Sequence, residues 1–153
     1  PPKWRCRMTQ FLILHGPNLN LLGSREPEVY GTMTLDELNK DVLDFASTLG
    51  VHVRCKQSNH EGVLLDELHA SRGLFDGVVF NPGAYTHTSY ALRDAIAGID
   101  VPVVEVHLSD IHSREEFRRI SLIQGVCVAQ ISGKGVDSYK EGVEFLVDHL
   151  KGD

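Results

Sequence analysis

The sequence predicts an α/β fold: a single three-layer sandwich in which a five-stranded parallel sheet lies between two layers of helices. Three observations carry this. The chain has 153 residues, about the length of one domain. At 42% hydrophobic and 24% charged residues it has enough apolar side chains to fold around a core, which argues against disorder. From Gln10 onward, five short β-rich runs alternate with segments of helical period. That order builds a parallel sheet with crossover helices on both faces.

The elements follow in chain order. Residues 1–7 (P-P-K-W-R-C-R) carry three bases and two prolines and no apolar stretch of the kind a signal peptide needs. They read as an extension ahead of Met8, leaving residues 8–153 as a single α/β domain. Strands are expected at 11–15, 51–57, 77–81, 101–107 and 126–131, where β-branched and other apolar residues cluster. Helices are expected at 34–49, 61–72, 88–97 and 136–150. The clearest is the first, with Leu35, Leu38, Val42, Phe45, Ala46 and Leu49 on a 3.6-residue period. Thr34 with Glu37 forms a capping box for it, and Gly50 is the stop. Ser113 with Glu116 repeats the capping spacing, and Asn59 or Ser58 is the expected cap of the second helix. Right-handed crossovers turn this order into a doubly wound, flavodoxin-like sheet whose ligands sit beyond the carboxyl ends of the strands.

Charge and cysteine usage exclude several classes. The net charge is −6, against a general nucleic-acid binder, which needs a basic surface. Cys6, Cys55 and Cys127 are odd in number and widely spaced, so neither a disulfide framework nor a zinc-thiolate site is expected, and the reduced cytoplasm is the natural compartment. The purely apolar runs span only a few residues, so no membrane span is expected.

The chemistry-bearing residues stand after the strands. Residues 16–33 form an 18-residue connection without a periodic element, holding Asn18, Asn20, Arg25 and Tyr30. A connection of that length in a compact domain is usually functional, often a lid. No G-K-[ST] follows, so it is not a Walker loop. After the third strand, N-P-G-A-Y-T-H-T-S crowds Thr86, His87, Thr88 and Ser89 onto a helix start. Two readings stand there: contact with an anionic ligand, or plain capping by Thr86 or Thr88. The fourth strand is the most informative. A central parallel strand should be apolar on both faces, yet Glu105 and His107 interrupt it near its end. Two residues apart, they share one face. A carboxylate beside an imidazole orients the ring and favours its charged form, which suits a general acid; a buried structural pair is the competing reading. Arg114, Arg118 and Arg119 add positive charge nearby. His107 and His112 lack the spacing of a metal motif, so no metal is expected.

Four strings then occur in order: G-P-N-L-N-L-L-G-S-R-E-P-E-V-Y-G, Q-S-N-H-E-G, N-P-G-A-Y-T-H-T-S and E-V-H-L-S-D-I-H-S-R-E-E-F-R. Together they resemble the type II 3-dehydroquinate dehydratases, from about Gln10 to Leu150. The resemblance implies reversible trans-dehydration of 3-dehydroquinate to 3-dehydroshikimate with no metal or organic cofactor, in the shikimate pathway or in quinate breakdown. It implies that Tyr30 is the proton acceptor, tuned by Arg25, and that His107 is the proton donor, held by Glu105. It makes Asn18 the residue that organises a water at the developing enolate oxygen. Asn81, His87, Leu108, Ser109 and Arg118 become substrate contacts. Asp94 becomes the acid that reaches a neighbouring subunit's site in trimers, four of which form a dodecamer. Asp110, Ile120 and Gly125 depart from the family's more frequent Asn, His and Ser, and none of the three holds an assigned role. The competing class is a flavodoxin-like phosphate-binding module, which leaves Tyr30, Arg25 and the Glu105–His107 pair unexplained.

Overall fold

The computed structural model describes residues 7–24 and 26–152, with the backbone alone at 29 and 30. Five strands, β1 (Gln10–His15), β2 (His52–Gln57), β3 (Gly77–Asn81), β4 (Val103–His107) and β5 (Ala129–Ser132), pair in the order β2-β1-β3-β4-β5. Every pairing is parallel. The order reverses direction between β1 and β3, which opens a crevice at their carboxyl ends. The α-helices among the described residues are α1 (Pro27–Tyr30), α2 (Leu35–Thr48), α3 (Glu61–Ala70), α4 (Tyr90–Ile99) and α5 (Val136–Lys151). Among the described residues no helix is long and apolar enough to cross a membrane.

The two helix layers follow from the alternation of side chains along the strands. Phe11, Ile13, Val79, Val104 and Val106 face α2 and α5, packing on Leu38, Val42, Ala46, Tyr139, Val143 and Leu146. Leu12, Leu14, Val78, Phe80 and Val103 face the other way, onto Leu64 and Leu68 of α3 and Leu92, Ala95, Ile96 and Ile99 of α4. Period two therefore places Glu105 and His107, in step with Val103, on the α3/α4 side.

Element edges depart from expectation for local reasons. Val51 N–H donates to Ala46 O at 3.1 Å, closing α2 before β2 begins. Pro102 has no N–H for the ladder, so β4 starts at Val103. Residues Gln124–Val126 form a 3₁₀ turn ahead of β5. Thr34 caps α2 as expected, accepting from Glu37 N–H at 3.2 Å and donating to its carboxylate at 3.0 Å. Three capping expectations are corrected. The α3 cap is His60, without a side-chain bond, while Ser58 Oγ accepts from His60 N–H. Ser89, not Thr86 or Thr88, caps α4 by accepting from Leu92 N–H at 2.9 Å. No α-helix starts at Ser113: its hydroxyl turns back to donate to Asp110 O, and the segment forms short 3₁₀ turns at Ile111–Ser113 and Glu116–Arg118.

Two further segments differ from the sequence reading. The 16–33 connection contains a 3₁₀ turn, Leu19–Leu21, and α1, whose first residue is Pro27, a proline where its missing N–H costs nothing. Leu19 and Leu22 are buried and anchor the connection to the core. Arg7, counted with the extension, pairs with Asp76 at 2.9 Å, and that carboxylate also accepts from Gln10 N–H; residues 1–6 lie outside the described residues.

Candidate active site

The crevice is formed where the turn after β1 abuts the turn after β3. Gly16 N–H donates to Asn81 O at 2.7 Å. A Cβ on Gly16 would stand 2.6 Å from the Pro82 carbonyl carbon, so only glycine permits this approach. Gly83 turns the other wall at φ +58°, in the left-handed region, against the Pro17 carbonyl. Between the walls lies a cavity of about 170 Å³. Eight of the residues singled out in the sequence line it: Asn18, Asn81, His87, His107, Leu108, Ser109, Arg114 and Arg118.

Each is positioned by identifiable neighbours. Asn18 is held left-handed at φ 69°, a conformation asparagine tolerates, with its N–H donating to Asn59 Oδ1 at 3.0 Å. Asn81 ends β3, buried, and its Oδ1 accepts from Gly83 N–H at 3.1 Å. His87 ends the 3₁₀ turn Gly83–His87 and donates Nδ1–H to Ile120 O at 2.7 Å. Leu108 and Ser109 continue β4; their carbonyls accept from Gly135 and Gly133 N–H, which ties their backbone to the loop after β5. Arg118 lies over the Phe117 ring and donates Nε–H to Glu115. That bond holds the Glu115 carboxyl below the ordinary range.

The pair on β4 is the most constrained part of the site. Glu105 Oε2 lies 2.5 Å from His107 Nε2. Glu105 is fully buried and sits behind the cavity wall, while His107 reaches the cavity. The carboxylate also accepts from Thr86 Oγ1 at 2.6 Å, from Ser121 Oγ at 2.8 Å and from Gln130 Nε2 at 3.1 Å. Burial pushes the Glu105 carboxyl up. The hydrogen bond and charge of His107, with the two hydroxyls, more than offset this, and the net direction is downward. A carboxylate so held accepts the Nε2 proton, which leaves Nδ1 as the free nitrogen of the ring.

Other expected residues stand apart. Asp94 lies on α4 in a separate depression with Leu65, His69 and Arg72, outside the cavity of its own chain. Tyr30 closes α1, and its side chain lies outside the described residues, as does Arg25 altogether. Thr86, for which the sequence leaves both ligand contact and capping open, does neither: it donates to Glu105 from behind the cavity. Ser121 and Gln130 carry no signal in the sequence. Among the described residues, no three His, Cys, Asp or Glu side chains gather to hold a metal ion.

Comparison with known proteins shows the family. The family model "Dehydroquinase class II" covers residues 9–147. A 3-dehydroquinate dehydratase of Anoxybacillus flavithermus is 52% identical over 95% of this chain and 98% of its own. One from a Nostoc species is 57% identical over 92% and 96%. The crystal structure of a type II dehydroquinase from Butyrivibrio crossotus superposes with a TM-score of 0.90 at 41% identity, covering 92% of this chain and 98% of that one. With the family model spanning nearly the whole domain and the shared fold bringing its motifs to one crevice, the chain belongs to the class II dehydroquinases and is a hydro-lyase.

Proposed function

We propose that the chain interconverts 3-dehydroquinate and 3-dehydroshikimate through an enolate, with Tyr30 as base and His107 as acid. The observation that carries this is the Glu105–His107 pair, whose imidazole lines the cavity and is anchored through Nε2 on a buried carboxylate. The proton beside the ketone passes to the Tyr30 phenolate, and its electron pair becomes the enolate. The enolate then expels the hydroxyl on the next carbon, which takes a proton from His107 Nδ1–H and leaves as water. Hydroxide is a poor leaving group, so a positioned acid is required.

The base needs help, because free tyrosine has a pKa of about 10. Useful ionisation near neutrality requires about 3–4 kcal/mol. A guanidinium about 4 Å away supplies about 4 kcal/mol where water is excluded and only about 1 kcal/mol in bulk water. Arg25 has the right charge for this in a connection that closes over the ligand. A water held by Asn18, with backbone donors, stabilises the enolate oxygen. Arg118, engaged through Nε, keeps the edge of its fork for the substrate carboxylate, with Asn81, His87, Leu108 and Ser109 as further contacts.

Asp94 completes this reading only from a neighbouring subunit, which fits its place outside the cavity of its own chain. A dodecamer built as a tetramer of trimers, working in the cytoplasm, is part of the proposal; light scattering tests the assembly. The reaction itself is tested by incubating purified chain with 3-dehydroquinate and following the ultraviolet absorbance of the conjugated enone. No rise in absorbance overturns the proposal.

A further inference from the structure

The Q-S-N-H-E-G run after β2 takes no part in the acid–base chemistry, and Asn59, an expected cap of α3, leaves that place to His60. Its polar groups are spent on the walls of the crevice. Gln57 ends β2 as the register partner of His15. Its Nε2 donates to Gly16 O at 3.1 Å and to Asn59 Oδ1 at 3.1 Å. The same Asn59 oxygen accepts from Asn18 N–H at 3.0 Å. Asn59 is held in turn from the opposite wall: the Tyr85 hydroxyl, on the turn Gly83–His87, donates to its carbonyl at 2.8 Å. One residue therefore bonds to both of the turns that enclose the cavity.

Each of these bonds has one possible direction. A backbone N–H can only donate, so Asn59 turns its oxygen, not its nitrogen, toward Asn18. That oxygen then faces Gln57, which must present its NH₂ group, with one proton for Asn59 and one for Gly16 O. Flipping Asn59 would set donor against donor, and flipping Gln57 would set acceptor against acceptor. Gly16 and Asn18 thus have both their N–H and both their C=O groups engaged, by Asn81 O, Gln57, Asn59 and Leu21 N–H. Pro17 between them has its φ fixed by its ring. Asn18 holds φ 69° and ψ −5° under these constraints, and its side chain makes no cap bond to the turn that it precedes. A residue other than glycine stays in the left-handed region where its surroundings impose it. Fixing φ and ψ there also fixes the direction in which Cβ leaves the cavity wall.

We infer that Gln57 and Asn59 are positioning residues, which fix the backbone of Asn18 so that its carboxamide and the water it holds meet the developing enolate oxygen. This rests on the reading that Asn18 serves the enolate. The test is a double-mutant cycle on kcat and KM with Asn59→Ala and Asn18→Ala. Asn59→Ala alone should lower kcat about three- to tenfold, the scale of one hydrogen bond, with KM changed less than about twofold. In the Asn18→Ala background it should cause no further loss. Equal losses in both backgrounds, no loss in either, or a rise in KM with kcat intact overturn the inference while leaving the reaction in place. Near-normal turnover of Asn18→Ala removes Asn18 from the enolate and overturns the inference as well. A wild-type chain that fails to convert 3-dehydroquinate overturns the functional reading and this inference with it.

A second pair of variants separates the hydrogen bonds from the bulk of the side chains. Asn59→Asp keeps an acceptor for Asn18 N–H and should hold kcat within about twofold of the wild type. A fall as deep as that of Asn59→Ala, measured well below both melting temperatures, refutes the role of the acceptor. Gln57→Met removes both donors at similar side-chain length and should lower kcat about two- to fivefold, again only while Asn18 is in place. It carries the same cycle if Asn59→Ala does not fold, and a loss that persists in the Asn18→Ala background overturns the inference.

Discussion

Acid titration of His15 gives a stability expectation with a definite sign and window. The folded protein holds this histidine at a pKa of about 4, against 6.5 when unperturbed, because burial disfavours the imidazolium more than the Asn39 bond favours it. Above pH 6.5 the ring is neutral in both states and the group contributes nothing. As the pH falls below 6.5 the unfolded chain takes up a proton that the folded chain refuses, so stability falls. The loss ends near pH 4, where the folded ring also protonates. Over the whole interval it amounts to about 3 kcal/mol, of which about 2 kcal/mol is lost by pH 5. Glu105 works in a lower window. Its carboxyl is held below the ordinary range, so its contribution is complete above that range and is lost only as the pH falls beneath it. Measurements between about pH 7.5 and 5 therefore isolate His15. The assay is urea unfolding at fixed protein concentration and ionic strength, comparing the wild-type chain with His15→Asn, which cannot titrate. The wild type should lose about 2 kcal/mol more than the variant across that range. Parallel curves would refute the assignment of a neutral buried ring.

Four substitutions test the site. Tyr30→Phe should abolish turnover while ligand binding and the melting temperature hold; near-normal turnover removes Tyr30 as the base. Arg25→Ala should slow the reaction most at low pH, because the phenol then ionises only at higher pH, and an unchanged pH–rate profile breaks that coupling. Glu105→Gln should lower kcat by about a hundredfold with little change in KM, since positioned acid catalysis is worth about 10²–10⁴; a matching rise in KM with kcat intact would place Glu105 in binding instead. Thr86→Val removes a hydroxyl that donates to the buried carboxylate at 2.6 Å. It should cost about 1.5–3 kcal/mol in chemical denaturation, the worth of a hydrogen bond to a charged group, and a cost below about 0.5 kcal/mol would show that Ser121 and Gln130 suffice.

What the sequence disclosed, and what it hid, follows from how local each feature is. The strand 77–81 and the start of the helix at 136 were legible because an apolar run and a 3.6-residue period are local patterns. Strand order was legible because alternating elements and right-handed crossovers leave few arrangements. Caps were not, because each helix start offers several competing side chains. Ser58, Asn59 and His60 crowd one, and Thr86, Thr88 and Ser89 the other, so spacing alone cannot choose among them. Glu105 and His107 stood out because charge is anomalous in a strand buried along its whole length. That Thr86, Ser121 and Gln130 satisfy Glu105 was hidden for the opposite reason. Thr86, Ser121 and Gln130 come from three separate segments, and only the folded chain brings their polar atoms to one carboxylate.

The division of labour within the site has a physical logic. The proposed acid is built into the sheet: Glu105 and His107 sit on a central strand, with every buried side-chain polar atom among the described residues satisfied. Such an arrangement cannot swing, and it need not, because the leaving hydroxyl must meet a proton at a fixed place. The proposed base is placed differently, in the 16–33 connection rather than on a strand. A phenol made acidic by a nearby guanidinium loses most of that assistance in bulk water, where the attraction falls to about 1 kcal/mol. On the proposed reading, closure of this connection over the substrate would tie ionisation of Tyr30 to occupancy of the cavity. In the proposed mechanism a rigid acid and a base activated only when the site is filled would together run the elimination without calling on a metal, provided the enolate oxygen finds its donors at Asn18 and the neighbouring backbone.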